Sequence, residues 1–111
     1  MSWEPFVSDT PGARGSEGGE IIRDDEHVYG ARITLEKDGA ISPFAITCGI
    51  YGWMMHTRFF ASGHEAAAAY EAMKVDLAAI VEELPLNDDA DLRAKMKASS
   101  AAMSAFVDKY P

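Results

Sequence analysis

Few side chains in this sequence stand out as able to do chemistry. They are His27, His56 and His64, the single thiol Cys48, and two arginines, Arg32 and Arg58, set in strand-like sequence. The histidines are irregularly spaced, and no two share the i, i+4 relation that places ligands on one helix face. His64 opens a helical segment, so no metal site is expected. The acids of "RDDEH", residues 23 to 27, read as a solvated turn. The glycines of "GSEGGE" lead into no helix, so they make no phosphate loop, and no cofactor is expected. Cys48 falls on an apolar face that carries no histidine. It reads as a small buried hydrophobe rather than a nucleophile.

The remaining candidates depend on which residues share a sheet face. Asp38-Gly39 between alternating runs is a strong two-residue hairpin signal. A turn there sets Lys37 against Ala40, Ile33 against Phe44, Ala31 against Ile46 and Tyr29 against Cys48. Tyr51-Gly52 suggests a second turn, although tyrosine is a poor first residue for a primed turn. That turn sets Ile50 against Trp53, Cys48 against Met55, Ile46 against Thr57 and Phe44 against Phe59. Because side chains alternate along a strand, the two registers collect Tyr29, Ala31, Ile33, Leu35, Phe44, Ile46, Cys48, Ile50, Trp53, Met55 and Phe59 on a core face. The opposite face then carries Arg32, Ala45 and Arg58 in one row and Gly30, Thr47 and His56 in the next.

On that second face Arg32, Arg58, His56 and Thr47 are candidate ligand-binding residues for a small anion. Guanidinium forks match carboxylate and phosphate, and His56 could serve as acid or base. The same arginines could instead be solvated and paired with carboxylates such as Glu36. Tyr51, Met54 and Phe60 make the face apolar enough to meet a partner. With Trp3 and Phe6 of the N-terminal stretch, they are the candidate interface residues.

The elements that must position these groups follow from periodicity. Residues 1 to 19, with "SDTPGARGSEGG", read as a flexible arm, in which Trp3 and Phe6 could anchor in a groove or on a second subunit. Residues 20 to 111 read as one domain, with strands over about 20 to 61. An early strand near Glu20 to Arg23 is expected to turn at Asp24-Asp25. Ser62 and Glu65 form a capping box, and Pro85 closes the helix it opens. Ala66, Tyr70, Met73, Leu77, Ile80 and Leu84 then recur at helical spacing, as do Leu92, Met96, Ser99, Met103, Phe106 and Tyr110. Helices are expected over 63–84 and 88–110. The fold class is α+β, an antiparallel β-meander of three or four strands followed by a C-terminal antiparallel helical hairpin. Folding the hairpin at its link would pair Ile80 with Met96 and Ala66 with Tyr110.

The totals narrow the function classes. The 111 residues suit a single domain, hydrophobic residues make up 48%, and the net charge is −8. That balance argues against a nucleic-acid partner, which needs a basic face, and gives no support for docking on anionic lipid. The apolar stretch from Phe44 to Phe60 is interrupted by two glycines, His56 and Arg58, so it is not read as a membrane span. The start has neither basic nor apolar leader character. One cysteine permits no intrachain disulfide and suits a reducing, cytoplasmic setting. The expectation is a non-enzymatic binding or interaction module acting as a homodimer. The alternative is a small enzyme or ligand carrier, with an anionic ligand held by Arg32 and Arg58 and with His56 as acid/base.

Overall fold

Alternating apolar residues from Glu20 onward do form a meander, but it has five strands rather than three or four. The computed structural model describes residues 3–6, 13–85 and 91–111. Strands β1 (Trp3–Pro5), β2 (Glu20–His27), β3 (Ala31–Lys37), β4 (Phe44–Ile50) and β5 (Met54–Phe60) precede helices α1 (Gly63–Val81) and α2 (Leu92–Lys109). All strand pairs are antiparallel, and the order across the sheet follows the chain. The additional strand, β1, lies within the span read as an arm, where Trp3 pairs opposite His27. Residues 13–19 fold back toward β2 and the loop after β3. Ile21 N–H donates to the Ala13 carbonyl and Ala40 N–H to that of Glu17. Residues 7–12 lie outside the described residues.

Both β-turn expectations need correction. The loop after β3 spans residues 38–43, not two residues, closed by the Asp38 N–H donating to the Pro43 carbonyl at 2.7 Å. Lys37 therefore faces Phe44, and Ile33 faces Cys48. The shift is by four positions, an even number, so every side chain of β4 keeps its expected face. Pro43 was the signal against a tight turn, because a proline inside the expected strand would remove a ladder donor.

The second correction matters more for function. Trp53 N–H donates to the Ile50 carbonyl, with Gly52 at φ 79°, a conformation that suits glycine at this turn position. Ile50 then faces Met54, Cys48 faces His56 and Ile46 faces Arg58. This is a slip of one residue, and one residue turns a whole strand over. Met54, His56, Arg58 and Phe60 face the helices, whereas Met55, Thr57 and Phe59 lie on the opposite face. The expected turn at Asp24-Asp25 is also absent. β2 runs through both residues, and the chain turns at Val28–Gly30, where Gly30 N–H donates to the His27 carbonyl.

The helices cover one face of the sheet. Ala31, Ile33, Ile46, Cys48 and Ile50 meet Ala66, Tyr70, Met73 and Leu77 of α1 and Met103 and Phe106 of α2 in one buried cluster. The Ser62 side chain accepts from the Glu65 N–H, which is the first of the two bonds of the expected capping box. α1 ends at Val81, before the expected residue 84; i to i+3 bonds tighten its last turn ahead of Pro85. The expected start of the second helix at residue 88 lies outside the described residues. Met96 is exposed rather than packed on Ile80. The Tyr110 hydroxyl reaches Asp76, one of whose neighbours is Leu77, rather than Ala66.

Candidate functional site

The face away from the helices holds a concavity. Thr34, Thr47 and Thr57 sit in one row across β3, β4 and β5, with Asp24 of β2 continuing it. The Thr34 hydroxyl donates to the Thr47 carbonyl at 3.4 Å, and the hydroxyls of Thr47 and Thr57 bond to each other at 3.3 Å. Residues 13–19 fold over one side of this row. Ser16 Oγ bonds the Thr47 hydroxyl at 3.1 Å, and the Glu17 N–H donates to Oε1 of the buried Glu36 at 2.9 Å. Gly15 lies so close to Glu36 that a side chain there would meet the carboxylate. Between this covering segment and the β4–β5 turn is a groove of about 640 Å³. Its lining includes Arg14, Ser16, Thr34, Thr47, Tyr51 and Met55. The size falls within the roughly 300–1,000 Å³ of small-molecule pockets.

Arg32 also lines the groove, but its guanidinium is committed. Nε donates to Asp24 Oδ1 at 3.0 Å and Nη2 to Oδ2 at 2.6 Å, while the Phe6 ring stacks 3.7 Å away. This forked bond to a buried carboxylate raises the Arg32 pKa above its ordinary value. Glu36 was one carboxylate that could have balanced the arginines; Arg32 is balanced by Asp24. Tyr51 closes one end of the groove, its hydroxyl donating to Glu26 at 2.7 Å. Burial first, then that bond, pushes the Tyr51 hydroxyl up to about 12, so it stays protonated at neutral pH.

The sheet separates the four residues expected to share a ligand. Arg32 and Thr47 line the groove. His56 and Arg58 lie on the helix side, because β5 is turned over. The His56 Nε2–H donates to the Tyr110 carbonyl. A carbonyl only accepts, which fixes the proton on that nitrogen. The Arg58 guanidinium lies over the rings of Phe60 at 4.8 Å and Tyr110 at 5.7 Å. The row of Arg32, Ala45 and Arg58 does not exist; Arg32 lies in register with Gly49 and Met55.

The expected interface residues are likewise divided. Met54 and Phe60 pack on the helix side with the core, while Tyr51 stays on the groove side and half-exposed. Trp3 meets the buried His27 ring edge-on at 5.1 Å. The same imidazole accepts from the Tyr29 N–H through Nδ1 and donates to Glu82 through Nε2. Trp3 and Phe6 thus both have partners within their own chain.

Cys48 is buried, and burial pushes its thiol up to about 12. Among the described residues no group of three histidines, cysteines or acids is placed to hold a metal ion. No described helix is long and apolar enough to cross a membrane. Comparison with family models, with curated proteins and with solved structures finds no match to this chain.

Sequence reasoning missed Asp24, Arg14 and Ser16 as parts of this face. Asp24 was assigned to a turn, and the other two to an arm with no place on the sheet. For Asp24 a usable signal existed. Arg32 lies eight residues on, and a β2–β3 turn centred near Tyr29 brings the two side chains to one face.

Proposed function

We propose that this chain is a non-enzymatic binding and interaction module that works as a homodimer, joined edge to edge through β5. The observation that carries this reading is the contrast between the two sheet edges. β1 is three residues long and ends in Pro5, a short edge blunted against further pairing. β5 is seven residues long with a regular register and no proline, and it ends the sheet order. Its outward groove face carries Met55, 76% exposed, and Phe59, 42% exposed.

Thr57 is the middle residue of β5. Antiparallel pairing about a two-fold axis there sets all seven residues of one copy against all seven of the other. Met55 of each copy then faces Phe59 of the other, a favourable sulfur–aromatic pairing that covers the exposed apolar side chains. His56 faces Arg58 of the second copy, so no two arginines stand opposed. Two-fold dimers are the commonest assemblies, and strand addition is an established mode of association. A reducing, cytoplasmic compartment suits the unpaired Cys48. The alternative, one anion gripped by Arg32 and Arg58 with His56 as acid/base, has no support, because those residues lie on opposite faces of the sheet.

Light scattering of the purified chain across micromolar concentrations tests the dimer. The expected mass is twice the 12.0 kDa of one chain. The double substitution Met55→Lys with Phe59→Lys sets lysine against lysine at two places on the seam. It should give a monomer with an unchanged circular dichroism spectrum. A wild-type monomer throughout, or a dimer that survives the lysines, overturns the reading.

A further inference from the structure

We propose that the groove on the helix-free face is a binding site for a small apolar carboxylic acid, with the carboxylate held by Arg14. Three observations carry this. The groove is lined mainly by apolar groups, among them Ile21, Trp53 and Met55, and its hydrogen-bonding groups are gathered at Ser16, Thr34 and Thr47. That combination suits a ligand with an apolar body and one polar end. The second observation is the pairing of the two guanidinium groups in the lining. Arg32 is held bidentately by the buried Asp24. Arg14 makes a single hydrogen bond, to the Gly18 carbonyl at 3.1 Å, and has no carboxylate partner among the described residues.

The third observation is where Arg14 is held. Its backbone bridges Glu20, and the flanking Ser16 is bonded to Thr47 in the groove floor. The segment that carries the guanidinium is therefore fixed over the sheet at one side of the groove. A planar guanidinium fork matches a carboxylate in two parallel bonds. The apolar lining disfavours a free phosphate, whose hydration it could not replace. Ligand binding here does not require β5 pairing. The seam meets the groove at Met55 of β5 and leaves Arg14, Ser16, Thr34 and Thr47 outside it.

Decanoate and decanol, titrated separately into the full chain by calorimetry below the decanoate micelle concentration, test the site. Trp53 lines the groove, so its emission gives a second readout. The expected result is saturable binding of decanoate, one per chain, tighter than decanol. Arg14→Gln should weaken decanoate by about tenfold or more, the scale for losing a hydrogen bond to a charged group, and leave decanol unchanged. No saturable binding of either compound, equal affinity for both, or decanoate binding indifferent to Arg14→Gln overturns the proposal. Light scattering on the same samples decides the dimer separately, so failure of one reading is distinguishable from failure of the other.

Discussion

Asp76 joins the two helices through its carboxylate. It accepts from the Tyr110 hydroxyl at 2.5 Å and from the Lys109 ammonium at 2.9 Å. The Tyr110 bond first, and the lysine after it, hold the Asp76 carboxyl below its usual range, against an opposing effect of burial. A folded-state pKa below the unfolded 3.8 means that the linked stability is fully present above that pH. It is lost as the pH falls through the depressed value. Asp76→Asn should therefore be less stable than wild type at pH 7, and the gap should narrow by pH 3. Urea denaturation at the two pH values measures this; a gap independent of pH would separate Asp76 from the acid response. Residues of this kind were poorly legible in the sequence. Nothing in the spacing of Asp76 and Tyr110 marks them as partners, because α2 reaches Asp76 by a path that helical periodicity does not contain. Cys48 was legible, since its place in an alternating apolar run was enough to bury it.

The β-strands show which errors a sequence pattern tolerates. Alternation identifies faces and is blind to even shifts, so β3 and β4 kept their core residues through a four-position error. It has no such protection against an odd shift. The whole assignment of His56, Arg58, Met54 and Phe60 rested on whether the chain turned at two residues or three, around Gly52. Tyrosine at the first turn position was the warning, and it was correctly read as a weakness of that register. The helix faces were easier, because 3.6-residue periodicity runs over many turns. Leu77 is fully buried, and Leu77→Ala should cost about 2–5 kcal/mol. Met96 matches the same pattern but is 45% exposed, and Met96→Ala should cost under about 1 kcal/mol. Chemical denaturation of the two variants checks this; equal losses would mean that the amino-terminal half of α2 packs more closely on α1 than its exposure implies.

For the molecule as a whole, strand order and chain order coincide, so each strand pairs with the one before it in sequence. Every sheet contact can form by closing a short loop, except where the 7–12 stretch and residues 13–19 intervene between β1 and β2. Such local pairing favours rapid assembly. The helices must instead return across the sheet from its last strand. Tyr70 marks that step. Its hydroxyl is buried beneath α1 and donates toward the Ile33 carbonyl at 3.1 Å and Asp25 at 2.7 Å, bonds to two strands that lie well back in the chain. If the meander forms first, these bonds are absent from the folding transition state, and a variant that lacks them loses its grip only on the way out. Tyr70→Phe should then lower stability by about 1–3 kcal/mol, with most of the loss appearing as faster unfolding and little as slower refolding in stopped-flow measurements. A slower refolding arm would mean that α1 docks before the sheet closes. With late docking, the lifetime of the native state is set by how tightly one helix seals a sheet that can already stand in register.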